Sequence, residues 1–288
     1  MTATVVTHDV NKPRRIRVLR APSFSPLGIL SSLRTLSQYR DLLLTLTVHR
    51  IKVRYKQSVL GISWAILQPV SLMLIYTLIF SFIAKVQTDG VPYAIFAYSA
   101  LLPWTYFATS LGNATNALVG HSELVTKVYF PREILPLSYV IAALCDFLIA
   151  STVMVGLMAY YRVSVTINVL YVIPIVIVLT LFISAMVLIL SATQVRFRDI
   201  GVAVPLLLQL WMFATPVVYP LSAVPARFQS FYVLNPMVGT IENFRRVVLQ
   251  GVEPDFYTLG LSASVSLILL IASYVYFKHV EATVADLV

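Results

Sequence analysis

Five stretches of this chain run without a single Asp, Glu, Lys or Arg: Gln57–Ala84, Gly90–Ser122, Ser164–Val195, Gly201–Ala226 and Phe256–Phe277. Each is longer than the ~20 residues a helix needs to cross ~30 Å of hydrocarbon. A sixth, Ile134–Tyr160, is interrupted only by Asp146. Charged residues make up 11% of the chain, against about 25% in an ordinary soluble domain. A soluble globular enzyme and a disordered chain are therefore excluded. So is a secreted disulfide scaffold, because the single cysteine, Cys145, has no internal partner. The apolar runs are continuous, whereas barrel strands are ~10 residues of alternating polarity.

Six crossings are expected: Ile62–Ala84, Tyr93–Leu118, Ile134–Tyr160, Ile167–Ala192, Ile200–Tyr219 and Tyr257–Phe277. Residues 1–60 hold eleven basic side chains and two acids, Asp9 and Asp41, which is the whole of the net +9. A basic segment ahead of a hydrophobic span stays in the cytoplasm, so no nucleic-acid partner is needed to explain it. The first 25 residues show no apolar signal-peptide core. An even number of crossings then puts both termini in the cytoplasm. That arrangement leaves sixteen Lys and Arg inside and five outside: Lys85, Arg162, Arg227, Arg245 and Arg246.

Pro216, Pro220 and Pro225 break the apolar stretch on the outer side. Proline cannot continue a regular helix interior, and broken backbone at membrane depth must be shielded by protein or line a wet cavity. Thr215–Pro225 thus reads as a re-entrant or interfacial hairpin. Residues Arg227–Asp255 form one large outer loop, with a turn at Asn235-Pro236 and a short surface helix over Met237–Leu249.

Gln38–Lys56 lacks proline and glycine and is expected to be helical. Leu44, Val48, Ile51 and Tyr55 share one face, and Leu42, Leu46 and Val53 form a second stripe. Arg40, Arg50, Arg54, Lys52 and Lys56 lie between. This pattern suits an interfacial helix beneath the bundle, near anionic headgroups; the plainer alternative is a positive-inside anchor.

None of the ten glycines is followed by lysine, so no G-x-x-x-x-G-K-[ST] phosphate cradle exists. No His/Cys cluster has metal spacing. Asp146 is the one acid deep in a predicted span. It either contacts the translocated substrate or is a buried acid satisfied by a hydroxyl or a basic partner. Energy for transport must then come from a separate cytoplasmic subunit, which needs a docking surface. The segment Val119–Pro136 offers one: a short helix Ser122–Tyr129 with Ser122 as cap and Glu123 in its first turn. Leu124, Val125, Val128 and Tyr129 form its apolar stripe. A plain interfacial helix fits the periodicity equally well.

Four ordered motifs carry a family resemblance. "KVYFPREILPLS" (Lys127–Ser138) resembles the second cytoplasmic loop of bacterial polysaccharide-export ABC transporter permeases, which serve O-antigen, capsule and teichoic acid export. "RYKQSVLGISWAILQP" (Arg54–Pro69) resembles the start of their first span. "FRDIG" (Phe197–Gly201) and "TPVVYP" (Thr215–Pro220), followed by "LNPM" (Leu234–Met237), come in the expected order. The resemblance implies an all-α integral membrane protein of the bacterial inner membrane. It would have six transmembrane helices, an N-terminal interfacial helix, a cytoplasmic coupling helix and a re-entrant outer hairpin before the last span. It further implies a homodimer above two copies of an ABC ATPase, with ATP and Mg in that partner and no cofactor in this chain. The substrate would be a polyprenyl-diphosphate-linked glycan or polyol-phosphate polymer.

On this reading residues 1–36 are a basic extension, 37–61 a gate helix, 62–280 the permease and 281–288 a short tail. ATPase-coupling residues would be Ser122, Glu123, Leu124, Val125, Lys127, Val128, Tyr129, Phe130, Arg132 and Glu133. Arg50, Arg54, Tyr55 and Lys56 would meet the lipid diphosphate, because Arg binds phosphate bidentately and Lys as a point charge. Charge reversal at Arg54 should then weaken export more than reversal at Arg14. Candidates to line a sugar channel at the dimer centre are Tyr76, Phe80, Tyr98, Trp104, Tyr106, Phe107, Asp146, Trp211, Phe213 and Tyr219. Interfacial belts and bundle packing compete for the same aromatics. A secondary transporter would need ionisable groups in both halves, and a membrane glycan-lipid enzyme would need clustered carboxylates such as D-x-D, which is absent.

Overall fold

The computed structural model describes residues 37–56, 58–88 and 90–287, and among them it contains helices and turns but no strand. The basic extension 1–36 lies outside the described residues. Helix α1, Arg40–Tyr55, lies against the bundle. Gly61, at φ +52°, opens a continuous helical run Gly61–Ile83 in a conformation that disfavours any side chain. That run comprises α2 (Trp64–Tyr76) and a π-helical turn over Thr77–Ile83. Then follow α3 (Tyr93–Ala114), the short α4 (Ser122–Lys127), α5 (Ile134–Tyr160) and α6 (Val172–Arg196). Next come α7 (Ile200–Phe213), α8 (Ala226–Val233) and α9 (Pro236–Arg245), and last α10 (Phe256–Leu287).

Four runs are long and apolar enough to cross a bilayer: Gly61–Ile83, Ile134–Tyr160, Ile167–Arg196 and Phe256–Glu281. Helix α7 is apolar but only 14 residues long, which gives roughly 21 Å at 1.5 Å per residue. Helix α3 has 22 residues and occupies the centre, packed against α2, α5, α6 and α9. Helix α10 continues through most of the expected tail, to Leu287.

The largest departure from the sequence reading is α9. Expected as a surface helix over Met237–Leu249, it is buried along almost its whole length against α3, α6 and α10. Its start follows local chemistry. Asn235 caps it by accepting the Met237 N–H at 3.1 Å, and Pro236 follows at the first helical position. Gly239 then lets α9 approach α10. A Cβ there would lie 2.1 Å from Ser262 Oγ and 3.0 Å from the Thr258 carbonyl. Small residues allow this closeness between membrane helices. Gly239→Ala should therefore force the two helices apart and cost about 1–3 kcal/mol, read as a lower melting temperature in detergent. An unchanged melting temperature would mean that the contact relaxes freely.

Prolines did break the outer segment. The chain turns after Phe213, and the carbonyls that the break releases are satisfied by protein. Arg245 donates to the carbonyls of Pro216 and Val217 at 2.7 Å each, and Tyr93 donates to that of Val218 at 2.6 Å. Sequence counting had placed Arg245 among the outer charges; the structure buries it, at 3% exposure. Asn235 Nδ2 donates to Thr215 Oγ1, which ties the break to the start of α9.

Candidate functional site

The loop between α3 and α5 begins with a short helical turn over Val119–His121 and passes into α4. Helix α4 stops at Lys127 because Val128 is extended (φ −123°, ψ 133°), two residues short of the expected end. Ser122 does not cap it: Ser122 is its first helical residue, and no side chain caps the preceding His121. Of the apolar stripe, Leu124, Val128 and Tyr129 are exposed, Tyr129 to 83%. Val125 and Phe130 point inward into a cluster with Ile134, Leu135, Val195 and Phe277, so they hold the loop rather than face a partner. Glu123 and Lys127 pair at 3.6 Å in the open.

Arg132 and Glu133 are likewise structural. Glu133 is buried and accepts from Lys278 Nζ at 2.8 Å and from the Tyr274 hydroxyl at 3.2 Å. The backbone N–H of Arg132 donates to a Glu281 carboxylate oxygen at 3.0 Å, and its guanidinium to the Glu281 carbonyl at 2.5 Å. These bonds staple the loop to the C-terminal part of α10. The "PRE" of the loop motif is thus an anchor that leaves Leu124, Val128 and Tyr129 projecting.

Helix α1 runs beside this loop. Leu42, Leu43 and Leu46 pack on the same inner cluster, while Leu44, Val48 and Val53 are exposed. One apolar face therefore meets protein and another is left open, as the two stripes lead one to expect, except that Val53 falls on the open side rather than with Leu42 and Leu46. Arg50 lies on the protein face of α1. It is buried, 4.4 Å above the Tyr139 ring, and bonded to His121. Lys56 is exposed.

At the end of α1, Arg54 and Tyr55 meet Asp146 of α5. The Arg54 guanidinium donates to one carboxylate oxygen and the Tyr55 hydroxyl to the other, the latter at 2.8 Å. An acid near the middle of a membrane helix needs such partners. The pair lies in the wall of a cavity of about 620 Å³ between α1, α2, α3 and α5. Gln68, Asn113, Thr105 and Thr109 add polar groups to this wall, and Trp64 and Phe147 add aromatic ones.

The aromatic candidates separate into two groups. Tyr98, Trp104, Tyr106 and Phe107 are buried within the chain. Tyr98 donates to the Ala150 carbonyl, and Tyr106 is bonded to Thr180 and adjoins the cavity. Trp211 sits edge-on to Phe107 and Phe182, with centroids 5.1 and 6.1 Å away. Tyr76 and Phe80 are half-buried and in contact. Phe213 is exposed. Tyr219 donates to the Phe213 carbonyl and, with Tyr232, Phe228 and Phe231, lines a separate aromatic recess between the end of α7 and α8.

A family model for the ABC-2 type transporter matches residues 41–249. The chain belongs to that family. It is also similar to the O-antigen export system permease protein RfbA of Myxococcus xanthus. The two are 38% identical over 248 residues, 85% of this chain and 94% of that protein. A protein of the same name from Klebsiella pneumoniae is 28% identical over 213 residues, 74% of this chain and 82% of its own length. Another from that organism is 31% identical over 161 residues, 56% and 61% of the two chains. The resemblance read from the four motifs is borne out, and the chain is a membrane subunit of a transporter.

Sequence reasoning missed His121, Tyr139 and Arg245. The available signal for Arg245 was Glu242 three residues earlier, an i,i+3 partner in an otherwise weakly charged loop; the two pair at 2.8 Å.

Proposed function

We propose that this chain is the permease of an ATP-driven exporter that moves a polyprenyl-diphosphate-linked polysaccharide across the inner membrane. The observation that carries this reading is the match along most of the chain to permeases named for O-antigen export. Two copies pair, and each docks one copy of a cytoplasmic ABC ATPase that holds ATP and Mg. The run Gly61–Ile83 favours pairing, because only 11% of its apolar window is buried within one chain, against 44% for Ile167–Arg196. Helix α7 leaves Val202, Leu206, Leu210 and Phe213 open as well.

Six crossings result when α3 and α7 are added to the four long apolar runs. Helix α7 is completed by the turn after Phe213, and Thr215–Pro225 with α8 and α9 forms a re-entrant hairpin from the outer side. Both termini then lie in the cytoplasm, together with α4. The lipid diphosphate arrives beside Arg54 and Lys56, and the cavity next to Asp146 takes its first polar groups.

Leu124, Val128 and Tyr129 are the side chains the ATPase grips. Leu124→Asp combined with Tyr129→Asp should lower ATPase co-purification about tenfold or more. Surface glycan should disappear while the permease itself accumulates normally. Undiminished co-purification would place the docking surface elsewhere. Glycan still reaching the surface in cells without the permease would remove the export reading itself.

A further inference from the structure

Arg50 is 9% exposed, yet its polar contacts are few. One nitrogen, Nη1, lies 2.5 Å from His121 Nε2; Nε and Nη2 are buried and have no acceptor. A guanidinium can only donate, so Nε2 of His121 must accept. The other ring nitrogen, Nδ1, is 3.0 Å from the Ala117 carbonyl, which can only accept. The partners on both sides therefore assign one tautomer: neutral imidazole, with its proton on Nδ1. Burial first, and the Arg50 charge second, push the His121 pKa down and favour that neutral form.

The position of this bond gives it a use. His121 immediately precedes α4, and Arg50 lies in the middle of α1. The other contacts between α1 and the inner loop are apolar packing of Leu42, Leu43 and Leu46 on the inner cluster. Apolar surfaces slide over one another, whereas a single directional bond fixes rotation and register. We propose that the Arg50–His121 bond is the pin through which displacement of α4 is handed to α1. This rests on the reading that α4 meets the ATPase. The two orphaned donors of Arg50 suit such a pin, because they leave one polar bond between α1 and the loop to be broken or remade, while Arg54 and Tyr55 hold the end of α1 to α5 through Asp146.

The test uses the assembled permease–ATPase complex in lipid nanodiscs and in cells. It reads glycan exported per ATP hydrolysed, and the distance between spin labels at the exposed positions 48 and 126. His121→Phe removes the acceptor but keeps the ring. Arg50→Met removes the donor together with the two unsatisfied buried nitrogens, so folding does not suffer. Each should lower glycan per ATP about tenfold and abolish the ATP-dependent change in label distance, with the complex assembled and turning over ATP. His121→Gln, whose amide oxygen reaches the Nε2 position, should restore both readouts. The double variant should be no worse than either single one.

Wild-type behaviour of His121→Phe overturns the pin. So does a defect in His121→Gln equal to that of His121→Phe, or defects that multiply in the double variant. If His121→Phe fails to assemble, His121→Asn replaces it: its acceptor sits at the Nδ1 position, so it should share the defect, and normal export from it overturns the pin. A wild-type complex that hydrolyses ATP without moving glycan would instead refute the export reading. The label distances would still judge the pin.

Discussion

Arg245→Ala should leave little folded permease and no measurable export. Among the described residues no other cation is buried so completely while holding broken backbone. Its Nη1 and Nη2 donate to the carbonyls of Pro216 and Val217, and Nη1 also bonds to Glu242 at 2.8 Å. Its guanidinium carbon lies 3.8 Å from the ring centroid of Phe96 on α3. Alanine would strand two carbonyls where water is scarce, at about 1–3 kcal/mol for each buried unsatisfied group, and would leave the Glu242 carboxylate, whose side chain is 27% exposed, without its cation. Removing one partner of a buried pair costs about 3–5 kcal/mol, a large part of the roughly 5–15 kcal/mol that holds a domain together.

Arg245→Lys is not conservative here. One ammonium cannot span two carbonyls and also lie flat on a ring, so its yield should fall well below that of wild type. Arg227→Ala, at a guanidinium 4.7 Å from the Phe228 ring centroid on the exposed α8, is the control and should behave normally. Monodisperse protein by size exclusion and surface glycan by blotting are the readouts. Normal amounts of Arg245→Ala protein would show that the hairpin does not depend on this side chain.

The reason α9 was misread also explains what the sequence could reveal. Helix α5 was legible at both ends, because Arg132-Glu133 and Arg162 bracket an apolar run whose only charge is Asp146. Its burial follows from hydrophobicity alone. Helix α9 carries Gly239, Thr240, Asn243 and Arg245, the composition of a surface helix. Its burial depends on partners that periodicity cannot name: Thr258 for Asn243, the cleft by Ser262 for Gly239, and the proline-broken carbonyls for Arg245. In and just after α4 the exposed residues Leu124, Val128 and Tyr129 were legible as apolar side chains in a polar loop. Val125 and Phe130, equally apolar, face inward, and only their contacts with Ile134 and Phe277 separate the two sets.

Arg54→Glu should reduce export far more than Arg40→Glu, although both reverse one charge on α1. The Arg40 side chain is 80% exposed and pairs with a solvated Asp41 at 3.8 Å; an exposed pair contributes about 0–1 kcal/mol. The Arg54 side chain is 27% exposed and its partner Asp146 16%. Reversal would set two carboxylates against each other beside a hydrocarbon-facing helix. The loss would be about 2–4 kcal/mol, somewhat less than for a dry pair because some water reaches it. Asp146→Asn is gentler, because its amide oxygen still accepts from Tyr55 or Arg54, so export should fall by less. Arg54→Asp combined with Asp146→Arg restores opposite charges but not the Tyr55 bond, and should recover part of the activity. Equal losses at Arg40 and Arg54 would mean that α1 uses its cations only for diffuse attraction to anionic lipid, and that Asp146 is a spectator. A larger loss at Arg54, partly repaired by the swap, would tie the end of α1 to α5 through one ion pair.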